Sequence, residues 1–245
     1  MLLDPGSLAL VAVVGMVAAL VGGIGGFGTG IILTAALAPL IGVKAVIPVL
    51  AVAGVIINCG RFWFYRASLE RGTLALVLAC ALPFLVLGTW IYSVLDARAI
   101  GTVLGLVVLA SIPLRRALNK RKVALGRGGL AMGSTVFGLA SGLTSGVGVI
   151  LVSLLLGTGL TGQAVLATDA LASVVLDLCK AALFQRFSLL DGETFVTGVV
   201  VGAVTIPGSA LAAWLVNKMH AHLHVLFIEV LIAAGGLSLL VNSWR

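Results

Sequence analysis

Two short patterns inside apolar runs carry the side chains best able to do chemistry. Asn58-x-x-Arg61 lies in the run Ala45 to Tyr65, and Asp177-x-x-Lys180 in the run Ala164 to Phe184. Residues three apart share a helical face. Asp169, Ser173, Asp177 and Lys180, spaced four, four and three, draw one polar stripe along the second run. An ionisable side chain exposed to lipid costs at least about 2.5 kcal/mol, so these groups should face one another or a wet cavity. Two cations there could hold an anion, with Asn58 donating hydrogen bonds and Asp177 orienting Lys180 or exchanging a proton. The alternative is that Arg61, near the end of its run, and Lys180 reach an interface along their aliphatic stems. A matched Asn or Asp before each cation favours the site, because snorkelling needs no such partner.

Glycine-rich breaks offer a second component. The first is Gly22-Gly23-Ile24-Gly25-Gly26-Phe27-Gly28-Thr29-Gly30, and the second includes Gly142, Gly146 and Gly148. A glycine loop at a helix start exposes backbone N–H groups, and the helix dipole adds partial positive charge, which suits a sulfonate, sulfite or carboxylate. Thr29, Ser141, Thr144 and Ser145 can add hydroxyl donors. The alternative is close helix packing through small residues. Gly23-x-Gly25-x-x-Gly28 matches a dinucleotide fingerprint by letter only, since no strand–helix unit surrounds it.

The remaining polar residues carry weaker signals. Glu229 could couple protons or sit near the headgroups. His220, His222 and His224 alternate in a short loop, which does not favour a metal site. Cys59, Cys80 and Cys179 lie in apolar runs without metal spacing and read as buried thiols. No cofactor is expected. An enzyme would need a convergent catalytic set, and the three histidines lie together in one loop.

The elements that must hold these residues are membrane helices. Hydrophobic types make up 61% of the 245 residues and charged types 9%, against about 25% charged in soluble domains. Mean hydropathy is +1.25. Leu74 to Leu95 and Phe195 to Asn217 each run without a charge, and about 20 apolar residues span a bilayer core as a helix. Strict alternation is absent, which argues against an outer-membrane barrel. The net charge of +7 fits the positive-inside rule, because Arg115, Arg116, Lys120, Arg121, Lys122 and Arg127 cluster in one loop. No aromatic interleaving suggests nucleic acid. Met1 to Pro5 lacks a basic n-region, so the first apolar run reads as retained. Trp63, Trp90, Trp214 and Trp244 fit interfacial anchoring.

The apolar segments are Ser7 to Val21, one from the glycine cluster to about Ile41, Ala45 to Tyr65, Leu74 to Leu95, Ile100 to Leu114, Leu130 to Leu143, Val147 to Leu156, Ala164 to Phe184, Phe195 to Val216, and Val225 to Leu240. The second five echo the first. Asn58 and Arg61 match Asp177 and Lys180 at an offset of 119, and Gly28 and Gly30 match Gly146 and Gly148 at 118. This ordered series points to an internal duplication. Charge orients it. The Arg115–Arg127 loop and the loop with Arg66 and Arg71 read as cytoplasmic, and the Arg186–Glu193 loop as external. Equivalent loops then face opposite sides, which makes the repeat inverted. The first two segments of each half are short, so they either span with tilt or meet as re-entrant half-helices.

The glycine runs, the Asn58-x-x-Arg61 helix end and Gly142-x-x-x-Gly146-x-Gly148 followed by Asp177-x-x-Lys180 resemble the TauE/SafE family of sulfite and organosulfonate exporters. The resemblance covers nearly the whole chain. It implies bacterial inner-membrane transport of small anions, often sulfite, thiosulfate, sulfoacetate or other sulfonates. Thr144-Ser145-Gly146-Val147-Gly148 departs from the family's usual glycine cluster, so hydroxyls would replace some backbone donors there.

The expected protein is therefore an all-α polytopic membrane protein and not an enzyme. It has two inverted repeats of four to five segments, residues 1–114 and 128–245, joined by a basic cytoplasmic linker at 115–127. Its expected substrate site comprises Asn58, Arg61, Asp177, Lys180, Gly28, Thr29, Gly30, Ser145, Gly146 and Gly148, with Asp177, Asp169 and Glu229 as coupling candidates. A passive anion channel and a small-carboxylate permease of the same fold are the alternatives. A homo-oligomer is left open, and no nucleic acid is expected.

Overall fold

A computed structural model describes residues 5–24, 29–120 and 125–216, with isolated positions beyond; the side chains of 7, 8, 18–24, 108, 111–120 and 208–216 are outside that description. Gly28, Arg121, Lys122, the three histidines, Glu229, Trp244 and the last apolar segment fall outside the described residues, apart from isolated positions in that segment. Among the described residues all regular structure is helical: α1 (Pro5–Ile24), α2 (Thr29–Ile41), α3 (Val43–Tyr65), a 3-10 turn (Arg66–Ser68), α4 (Arg71–Val94), α5 (Ala97–Lys120), α6 (Arg127–Leu143), α7 (Gly148–Gly157), α8 (Gly162–Arg186) and α9 (Gly192–Val216). In hydrocarbon a helix satisfies every backbone group internally, which is why these apolar runs take this form.

The stretch from α3 through the 3-10 turn and the helix α4 are long and apolar enough to cross a membrane, with hydropathies of 2.0 and 2.4. Large apolar side chains point outward along the bundle, among them Leu87, Trp90, Leu106, Met132 and Val136. Exposed apolar side chains of this size and number fit a lipid-facing surface. Arg66 stacks over Trp63 at 4.1 Å and donates to its carbonyl, as a basic–aromatic anchor at a bilayer surface would.

Most boundaries lie within a few residues of the sequence reading. Two differ more. α1 has 20 residues, because Gly22 and Gly23 continue the helix instead of ending it. α5 runs to Lys120, so Arg115, Arg116 and Lys120 lie on a helix and not in a loop. Asp96 and Asp191 start α5 and α9 by accepting the amides of Ala99 and Thr194 at 2.7 and 2.8 Å. The Thr194 amide holds the exposed Asp191 carboxyl below its ordinary range.

Packing exchanges partners between the two halves. α4 lies against α6 and α8, while α9 lies against α1 and α3. Each arrangement depends on glycine. A Cβ on Gly142 of α6 would sit 2.7 Å from the Thr89 nitrogen of α4, and one on Gly198 of α9 would sit 2.7 Å from the Val52 Cβ of α3. The close-packing reading of glycine thus holds at these seams. Two apolar clusters result. One is centred on α2 and α3 and takes in Tyr92 and Phe184; the other joins α4, α6, α7 and α8. Between them α3 and α8 cross in antiparallel register: Asn58 meets Asp177, Arg61 meets Asp169, and Ser68 meets Gln163.

Candidate functional site

The polar stripe of α3 places Gly54, Asn58 and Arg61 on one face, and that of α8 places Asp169, Ser173, Asp177 and Lys180 on another. Where the helices cross, these faces meet and form one hydrogen-bonded chain. Lys180 Nζ lies 2.8 Å from Asp177 Oδ1. Asn58 Nδ2 donates to Asp177 Oδ2 at 3.3 Å. Arg61 donates from Nη1 to Asn58 Oδ1 at 3.1 Å and from Nη2 to Asp169 Oδ2 at 2.9 Å.

The two patterns read from the sequence are thus folded alike, each with an internal contact three residues long. They differ in charge. Asp177 neutralises Lys180 directly, whereas Asn58 cannot neutralise Arg61, and Asp169 does so from the facing helix. Two cations and two carboxylates, all ionised, sum to zero. Of the two cations, Lys180 is sealed, its side chain 3% exposed. Arg61 is 36% exposed and keeps guanidinium donors free of the two bonds above. Neither cation reaches away from the bundle to an interface as snorkelling would require. Of the chain's carboxylate oxygens, Asp169 Oδ1 is buried and has no hydrogen-bond partner among the described residues.

A cavity of about 630 Å³ collects these groups. Thr29, Gly30, Asn58, Arg61, Ser145, Gly146, Gly148, Asp169, Asp177 and Lys180 all line it, as do Ser141 and Ser173. Thr144 does not line it; its hydroxyl donates to the Ser145 carbonyl at 3.4 Å instead. Apolar walls come from Leu33, Ile57, Phe137 and Leu176 among others.

The glycine breaks reach the same cavity. α2 has 13 residues and α7 has 10, or about 20 and 15 Å of helix. Neither crosses a hydrocarbon core of about 30 Å. Both begin at the cavity, and their starts touch: a Cβ on Gly30 would sit 2.7 Å from the Gly146 nitrogen. Gly146 has φ +82°, a conformation that strongly favours glycine. Two helix N-termini therefore aim backbone donors and positive dipole ends toward one polar space.

Gly54 is a site residue that the sequence reading passed over. A Cβ there would collide with the Asp177 carboxylate. A small residue one turn before Asn58, on the same face, was the available signal.

Membrane-length apolar helices in a bundle with a partly open, charge-paired cavity and converging helix starts define a helical membrane protein. A family model described as sulfite exporter TauE/SafE matches residues 11–239. The chain belongs to this family of membrane transporters. No curated protein and no solved structure matches it.

Proposed function

We propose that this protein is a secondary transporter that moves a small anion across the bacterial inner membrane. The substrate is a sulfur oxyanion or organosulfonate, of the kind sulfite, thiosulfate and sulfoacetate represent. The observation that carries the reading is the meeting, in one cavity, of the Arg61–Asn58–Asp177–Lys180 chain and the starts of α2 and α7. Arg61 and the backbone amides near Gly30, Gly146 and Gly148 face the anion. Asn58 fixes the orientation of Arg61 and Asp177. Ser141, Ser145 and Thr29 add hydroxyl donors. The energy source is a proton or anion gradient, with Asp169, Asp177 and Glu229 as the coupling carboxylates.

The architecture proposed for this work is a multi-pass inverted repeat, residues 1–114 and 128–245 around the basic 115–127 stretch. The antiparallel crossing of α3 with α8 supports it, as does the exchange in which α4 packs on α6 while α9 packs on α1. The short α2 and α7, beginning inside the bundle, fit half-helices at a binding site.

The test is a thermal-shift screen of the purified protein with sulfite, thiosulfate, sulfoacetate, taurine and short carboxylates, followed by counterflow in proteoliposomes. Stabilisation and counterflow by a sulfur anion are expected. Stabilisation by carboxylates alone would move the substrate class, and no counterflow with any of them would remove the transporter reading.

A further inference from the structure

We infer that Asp169 is the proton site of this protein, and that one proton binds it for each monovalent anion that enters the cavity. The inference deepens the proposed anion transport and rests on it.

The first ground is the charge count. With all four groups ionised, Arg61 and Lys180 are balanced by Asp169 and Asp177. An entering monoanion would leave the buried chain one negative charge in excess, in a medium that screens poorly. A proton taken up at the same time restores neutrality. The two ligands then favour each other, and the coupling is reciprocal.

The second ground is which oxygen can take the proton. Both oxygens of Asp177 are supplied, Oδ1 by Lys180 at 2.8 Å and Oδ2 by Asn58 at 3.3 Å. Asp169 is supplied at Oδ2 only, by Arg61. Its Oδ1 is buried without a donor among the described residues, and a buried acceptor left unmatched is costly. A proton placed on Oδ1 removes the carboxylate's charge, which is the larger part of the burial cost. It also weakens the hold of Asp169 on Arg61. The guanidinium, the more exposed of the two cations, then turns its charge to the anion. Proton uptake at Asp169 and anion binding are thus linked through the same arginine, each favouring the other.

Among the described residues, other ionisable groups at the cavity wall are few. α3 brings Arg61 and Tyr65, and α8 brings Asp177 and Lys180 beside Asp169. The wall residues from α2, α6, α7 and α9 carry no ionisable side chain.

The experiment uses methanesulfonate, which stays ionised and cannot carry the proton itself. Its binding to the intact protein in detergent is measured by calorimetry across pH, and proton uptake by a dye in weakly buffered solution. The wild type is expected to take up about one proton per anion, with affinity rising about tenfold per pH unit of acidification above the protonation midpoint. Asp169→Asn mimics the protonated side chain. It is expected to bind methanesulfonate with no proton uptake and no such slope. Should that variant not fold, Asp169→Glu is expected to retain uptake with a displaced midpoint. The inference is overturned by wild-type binding without proton uptake, by folded Asp169→Asn that still takes up the proton or no longer binds, or by an unmoved midpoint in Asp169→Glu. Failure of the wild type to bind or exchange methanesulfonate or any anion of the screen would remove the transport reading instead.

Discussion

Asn58 and Asp177 are joined by a hydrogen bond of 3.3 Å across 119 residues, and the same 119-residue step carries Asn58-x-x-Arg61 onto Asp177-x-x-Lys180. The bond therefore links two equivalent positions where α3 and α8 cross. It holds together two ion pairs, one on each side. Replacing Asn58 by Leu keeps the branched shape and strands Asp177 Oδ2 without a donor. A loss of about 1–3 kcal/mol in stability is expected for an unsatisfied buried acceptor. Denaturation of the variant in detergent checks this.

Among the described residues Lys180 is the only cation paired with Asp177, and both lie inside the bundle. Lys180→Met leaves that carboxylate uncompensated, at an expected cost of about 3–5 kcal/mol. Adding Asp177→Leu removes the stranded charge, so the double variant is expected to recover most of the loss. A double-mutant cycle on unfolding free energies reads the difference; equal losses in the single and double variants would contradict the pairing.

Gly54 lets the Asp177 carboxylate lie against the α3 backbone. Gly54→Ala is expected to push it away, with an overpacking cost of about 1–3 kcal/mol and reduced anion flux. Gly72→Ala, a helical glycine with open space around it, is the comparison and is expected to leave flux unchanged.

Gly146 serves the contact between the starts of α2 and α7. Its φ is +82°, and a Cβ would meet the Gly30 carbonyl carbon at 3.0 Å. Gly146→Ala is expected to cost at least about 1–2 kcal/mol in backbone strain and to weaken anion binding by parting the two helix starts. Calorimetric titration with the best anion of the screen measures the second effect.

Much of this was legible in the sequence. Spacing alone put Asn58 with Arg61 and Asp177 with Lys180, and it placed Asp169 on the same stripe. It could not show that Asp169 crosses to Arg61, since that pairing depends on the register of α3 against α8. Without it the site read as two cations, and not as a charge-balanced chain. The glycines were harder still. Gly30 and Gly146 serve a helix start, while Gly142 and Gly198 serve helix seams, and residue type does not separate the roles. Gly22 and Gly23 were read as a break but are helical. Their backbone hydrogen bonds have no water to compete for them in hydrocarbon, so helix persists where glycine would weaken it in a soluble protein.

The central claim is that Arg61 and Lys180 together make the cavity receptive to an anion. Counterflow of the best sulfur anion in proteoliposomes carrying Arg61→Ala and Lys180→Ala in one chain tests it most directly, with insertion checked by the amount of reconstituted protein. Flux at the level of protein-free vesicles is expected. Flux at the wild-type rate would contradict the account.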